Sequence, residues 1–264
     1  MNAAVAVLGD VFGHRRLLLS TMRVELMKRY AGSILGFAWV FLNPLLFLGV
    51  YVFLYLVVFK TTWPDMTNIG YTVFVFAGLV PFLSFMEVAN GSVQLIRSNI
   101  HLVKNLVFPV ALIPIRMALI GLVTQFVGLV MLIIMALIDG QVSWNILLLP
   151  YLIIIQFLLL VGIAFLCSGF GLLLPDFGYF LGSFLMLMLF LTPIGFKPGM
   201  VSGPIGAIVA ANPFTYMVNA FRSALMAQRI DFVSIGVFTA ISLAIFVLGA
   251  VFFRRLRAHL VDYE

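Results

Sequence analysis

The chain has 264 residues, 64 % of them apolar and only 9 % charged, with fifteen Lys and Arg against nine Asp and Glu for a net +6. No water-soluble domain of this size hides so much apolar surface behind so little charge, which excludes a soluble enzyme or binding module. Apolar runs near the roughly 20 residues that cross a roughly 30 Å hydrocarbon layer recur along it, and a helix satisfies its own backbone there. The fold class is therefore read as an all-α polytopic membrane protein.

Residues 1–8 are weakly apolar, but the basic cluster follows them, the reverse of a secretory signal. The first span is thus expected to be an uncleaved anchor with a cytoplasmic N-terminus. In 11–30, Arg15, Arg16, Arg23, Lys28 and Arg29 alternate with Leu17, Leu18, Leu19, Met22, Val24, Leu26 and Met27. On a helix this predicts a basic interfacial segment against anionic lipid headgroups, or else a positive flank that orients the first span.

The first span is expected over 35–59, entered through Gly32 and Gly36, whose spacing of four suits close helix approach. Trp63 marks the far interface. A second span, 70–93, contains Pro81 and Glu87. A polar loop follows, with a short helix expected over 97–106: Ser98 or Asn99 can cap it, and Pro109 stops it. The third span is expected over 111–138, the fourth over 146–174 and a short fifth over 179–191, with turns at Asp139–Gly140 and Pro175–Asp176. From 192 to 229, Pro193, Pro198, Pro204 and Pro213 interrupt apolar stretches too short to cross. Over 199–229 these predict re-entrant half-helices before the sixth span, 232–253.

Charge placement gives the orientation. Arg15, Arg16, Arg23, Lys28, Arg29, Arg97, Lys104, Arg254, Arg255 and Arg257 fall on one side of this topology, and Lys60, Lys197, Arg222 and Arg229 on the other. Such an asymmetry puts both termini in the cytoplasm.

Catalytic groups are sparse. His14, His101 and His259 all lie in polar segments, no His, Asp or Glu set has metal-ligand spacing, and no lysine follows a glycine as a phosphate-binding loop requires. The expectation is a chain without catalytic or metal residues that cannot hydrolyse ATP alone. Glu87 is the acidic residue well inside a span; it reads either as part of a pathway or as a structural ion pair with Arg116, the one partner in view. Gly121, Thr124, Gln125 and Gly128 share a face of the third span, and Gly178 and Gly182 form a further close-approach pair; helix packing is the simplest reading. Trp39, Asn43 and Tyr51 form a stripe along the first span. They either pack or line a conduit in which aromatic faces stack on sugar rings while polar groups bond their hydroxyls.

From Glu25 to Leu45 the chain carries a basic residue, Tyr30, Gly32–Ser33, Leu35–Gly36, Trp39 and Asn43–Pro44 in an ordered pattern. This resembles the permease subunits of ABC-2 type polysaccharide exporters, which move O-antigen, capsule and teichoic-acid polymers. Asn99 to Pro109, and Asn212–Pro213 followed by Ala220–Phe221–Arg222, are similar to further motifs of that family. The resemblance implies a homodimer paired with two copies of a separate ATPase, which carries the ATP and magnesium, exporting lipid-linked polysaccharide across the inner membrane. It implies that 97–106 is the coupling helix, presenting Arg97, Asn99, His101, Lys104 and Asn105 to the ATPase, with Asp176 as a second contact. It further implies an external gate built from 199–229, with Pro213, Tyr216, Asn219 and Arg222. An ABC-2 exporter of lipids or drugs, a membrane transferase acting on lipid-linked sugars and an ion-coupled transporter are the competing readings. The transferase lacks an acidic or histidine cluster, and the ion-coupled transporter lacks paired intramembrane charges.

Overall fold

The computed structural model describes residue 9 and residues 11–58, 66–100, 109–140, 143–226 and 229–260. Every regular element among them is helical. α1 (Arg15–Arg29) is followed by a continuous helical run made of a 3₁₀ turn (Gly36–Ala38), α2 (Trp39–Val52) and a π segment (Phe53–Val58). Then come α3 (Asn68–Val93), α4 (Leu95–Ser98), α5 (Leu112–Ile138), α6 (Leu149–Leu173, entered by a 3₁₀ turn at Trp144–Leu148) and α7 (Phe177–Leu191). α8 (Gly203–Ala211), α9 (Pro213–Leu225) and α10 (Phe232–Leu260) complete the chain.

Among the described residues, four helices are long and apolar enough to cross a membrane: Asn68–Val93, Leu112–Ile138, Trp144–Leu173 and Phe232–Leu256. They occupy the segments expected at 70–93, 111–138, 146–174 and 232–253. The segment expected at 35–59 is instead divided among three helix types, with Pro44 inside α2. The expected 179–191 span corresponds to the 15-residue α7, shorter than the 17 or so residues a crossing helix needs.

α3 is the axle of the bundle, flanked by α5, α6, α7 and α9. Small residues let its neighbours close in. A Cβ added at Gly121 would lie 2.3 Å from Val88, one at Gly128 2.8 Å from Val80, and one at Gly171 2.1 Å from the Val93 carbonyl oxygen. α6 and α10 touch backbone to backbone: a Cβ at Gly162 would lie 2.6 Å from the Ile245 carbonyl oxygen, and one at Gly249 2.3 Å from that of Gly162. Polar groups add specific ties. Ser84 Oγ donates to the Gly121 carbonyl (2.9 Å), and Gln156 Nε2 reaches the Pro81 carbonyl (3.2 Å).

Two glycine pairs behave otherwise than expected. Gly32 and Gly36 have φ of +83° and +48° and no heavy atom within 4 Å of a built Cβ. They supply left-handed backbone in the turn between α1 and α2, which other residues rarely adopt, rather than a packing face. At Gly178 a built Cβ would only touch Val93 Cγ1, at 3.4 Å, and at Gly182 there is nothing within 4 Å, so α7 is open at Gly182 in the single chain.

Candidate functional site

One end of the bundle collects the basic residues. α3 ends there, α4 follows, α5 begins, and α1 lies across them. Leu18 and Leu26 bury α1 against the bundle, while Leu17, Leu19, Val24 and Met27 stay exposed with Arg15, Arg16, Arg23 and Lys28. Exposed apolar and cationic groups on one helix suit a bilayer headgroup layer.

Two ion pairs pin α1, and they redistribute the partners expected from sequence. Glu87 bonds Arg29 of α1, and Arg116 Nη2 lies 3.3 Å from Glu25 Oε2, also on α1. Glu87 is six residues from the end of α3 and Arg116 four from the start of α5, so the two are at similar depth. α1 brings an opposite charge to each, however, while Ser84 and Val88 take up the α3–α5 contact. Burial works against the Arg29 charge, but the Glu87 carboxylate and the Tyr30 side chain together more than offset it, holding the guanidinium above its usual range.

Arg97 and Asn99 tie α4 to α6 and α5. Arg97 Nη2 donates to the Leu172 carbonyl in the last turn of α6 (3.0 Å), a favourable place for a cation. Asn99 closes α4: its Nδ2 donates to the Leu95 carbonyl (2.9 Å), and its Oδ1 accepts from Arg116 Nη2 (3.2 Å). α4 overlaps the first residues of the helix expected over 97–106, Ile100 is again helical, and the rest of that stretch lies outside the described residues. His101, Lys104 and Asn105 lie outside the described residues. Asp176 is exposed in the turn after α6, at the same end as Arg97, and makes no side-chain cap to α7.

Along α2, Trp39 is half-buried and its indole Nε1 donates to Ser33 Oγ (2.7 Å), folding it back on the entry turn. Asn43 is exposed beside a cavity of about 180 Å³ that it lines with Pro44, Phe47, Ser84, Thr124 and Gln125. Gln125 is 1 % exposed, and neither side-chain polar atom finds a partner among the described residues. Tyr51 belongs to α2, but its side chain lies outside the description.

At the opposite end, α8 and α9 form a hairpin. Asn212 Oδ1 caps α9 by accepting from Phe214 N (3.0 Å), and its Nδ2 donates to Thr192 Oγ1 (3.0 Å). Thr215 Oγ1 bonds the Val209 carbonyl (2.6 Å) and Tyr216 OH that of Ala210 (2.9 Å). Phe214 meets Phe82 and Phe85 with ring centroids 5.0 and 4.9 Å away, Val218 meets Gly78, and Arg222 meets Phe74. α9 thus runs antiparallel to α3, starting beside its middle and climbing back toward its Asn68 end. Pro213 is exposed at the first turn of α9, and Asn219 is half-buried.

Arg222 is 3 % exposed. Its Nε donates to the Phe74 carbonyl (3.0 Å), its Nη2 to that of Ile194, and its guanidinium lies 3.5 Å over the Phe74 ring. Carbonyl dipoles and an aromatic face replace the carboxylate that a buried cation usually has. Tyr71 OH ties the same loop by donating to the Gly195 carbonyl (3.1 Å), a contact between distant segments that the sequence does not announce.

Comparison with known proteins places the chain. An O-antigen export system permease protein RfbA from Myxococcus xanthus is 25 % identical over 86 % of each chain. Two proteins of that name from Klebsiella pneumoniae are 28 % and 26 % identical, each over 91 % of this chain and 92 % of their own length. Residues 16–226, from α1 to just past α9, match the ABC-2 type transporter family, and the chain belongs to that family of multi-pass membrane permeases.

Proposed function

We propose that this chain is the membrane subunit of an ATP-driven exporter of lipid-linked polysaccharide, of the O-antigen kind. It works in the cytoplasmic membrane as a homodimer joined to two copies of a separate ATPase that holds the ATP and magnesium. The observation that carries this reading is end-to-end likeness to permeases of O-antigen export, over 86–91 % of this chain.

In this reading the spans number six, with the Gly36–Val58 run as the first and α7 as the fifth, and both termini are cytoplasmic. α8 and α9 dip in from the outer face and return, making an external gate in which Arg222 locks α9 to α3 and Pro213, Tyr216 and Asn219 lie along the moving edge. Trp39, Asn43 and Tyr51 line the passage from one subunit, and twofold symmetry supplies the opposite wall. Arg15, Arg16, Arg23, Lys28 and Arg29 hold α1 in the headgroup layer.

Power enters through α4 and the loop after it, with Arg97, Asn99, His101, Lys104 and Asn105 seated in the ATPase and Asp176 as the second contact. What supports a rigid transmission is the attachment of α4 and of the end of α3 to α6. Arg97 grips the Leu172 carbonyl, and Gly171 lies against the backbone of Val93. A push on α4 therefore displaces α6 with it.

Reversing both charges, Arg97→Glu with Lys104→Glu, tests the assignment in proteoliposomes holding permease and ATPase. ATP hydrolysis is expected to persist while ATP-dependent delivery of glycan into the lumen falls at least tenfold. Undiminished delivery removes the coupling role from this loop.

A further inference from the structure

At the basic end, α1, α4 and the first turns of α5 enclose a cleft of about 380 Å³ lined by Ser20, Thr21, Val24, Glu25, Lys28, Ser98, Asn99 and Arg116. Its lining is far more polar than that of the cavity beside Asn43. Arg116 forms its back wall, with a side chain 6 % exposed. That guanidinium is under-served: Nη2 is shared between Glu25 at 3.3 Å and Asn99 at 3.2 Å, both at the long end for such bonds, and Nε has no partner. A bare donor on a buried cation is costly, and arginine's planar fork is shaped to bind an oxyanion.

Lys28 stands at the mouth, exposed, its side chain making no hydrogen bond or ion pair among the described residues. The hydroxyls of Ser20, Thr21 and Ser98 donate to helix carbonyls at 2.9 to 3.2 Å, and Ser98 Oγ also accepts from Asn99 Nδ2 (3.2 Å), so none has a proton left for a ligand. The donors available to a ligand are therefore the two cations. Lys28 and Arg116 against Glu25 leave one net positive charge.

We infer that this cleft is a binding site for the phosphate of an anionic lipid, taken between Lys28 and Arg116 at the headgroup level. Basic clefts between helices at a membrane face select such headgroups. Here the outer wall is α1, whose exposed Leu17, Leu19, Val24 and Met27 place it among lipid chains. A bound phosphate bridges three elements, α1, α4 and α5, and so stiffens the segment that leads into residues 101–108. The inference stands on the cleft itself and does not depend on what the protein exports.

The test titrates the full chain, in a nonionic detergent, with dioctanoyl phosphatidic acid and with dioctanoylglycerol, which differ only in the phosphate. Phosphatidic acid is expected to bind and dioctanoylglycerol not. Lys28→Ala, an exposed position, weakens binding about fivefold. Glu25→Gln removes the competing carboxylate and tightens it by a similar factor, and circular dichroism and size-exclusion elution confirm that both variants are folded. Equal binding of the two lipids, an unchanged affinity in Lys28→Ala, or weaker binding in Glu25→Gln overturns the site. Inorganic pyrophosphate is then added as competitor. Displacement assigns the site to phosphate from lipid or solution alike; no displacement assigns it to lipid-borne phosphate, and either result upholds a phosphate site.

Discussion

α3 and α10 are both long enough to cross a bilayer, yet 78 % of the most apolar stretch of α3 is buried within the molecule and only 28 % of that of α10. The better-buried helix is also the less hydropathic of the two. Lipid offers no hydrogen bonds, so a lipid-facing helix must be apolar throughout, whereas one enclosed by protein can carry polar groups whose partners come from its neighbours. Ser84 and Glu87 of α3 have such partners in Gly121 and Arg29. Within a membrane protein, apolar excess thus marks the outside of the bundle, and close glycine contacts mark the inside.

Substitutions can break or sharpen this contrast. The largest effect is expected at the α6–α10 seam. Gly162→Leu forces a side chain against the Ile245 backbone, which cannot yield as a side-chain tip can, and should cost about 3 kcal/mol. A lowered midpoint in thermal unfolding in detergent checks it, with Gly182→Leu on the open face of α7 leaving that midpoint unchanged. Equal damage from both would mean that the open face is packed in solution, and the contrast between inside and outside would fail at α7.

Arg222→Met is next. It leaves the Phe74 and Ile194 carbonyls without their donor and should cost about 2 kcal/mol. Faster hydrogen exchange in α9 than in α5 would localise the loss to the hairpin.

Arg29→Ala breaks one of the two pins on α1. A partly exposed pair contributes about 1 kcal/mol at most, so the fold should survive while exchange in α1 rises and that in α3 does not. Gln125→Leu is the smallest: removing an unpartnered buried amide is expected to be neutral or to stabilise by up to about 1 kcal/mol. Should it destabilise strongly, a partner for that amide exists beside α2.

Legibility in the sequence follows range. The apolar runs, the breaks at Pro109, Pro175 and Pro213 and the basic character of 11–30 depend on neighbours a few residues away, and their helices can be read directly. The segment at 35–59 was legible as apolar but not as three helix types, because Pro44 and the π segment alter hydrogen bonding without altering hydropathy. Gly32 and Gly36 have the spacing of a packing pair, and only their positive φ assigns them to a turn. In the candidate site, Arg97, Asn99 and Arg222 could be named from pattern, whereas the partners they hold could not. Glu25, quoted only within a motif, turned out to be the partner of Arg116.

What the sequence determined by itself is that this chain lives in a bilayer as a set of helices, since length and apolar content suffice to compute the transfer into lipid. What the tertiary structure decided is which charges meet. α1 folds back across the ends of α3 and α5, so Glu87 and Arg116, free by sequence to pair with each other, are each claimed by α1 instead. Electrostatic attraction falls off with distance in space, and residues 58 and 91 positions apart become neighbours only once the bundle has closed.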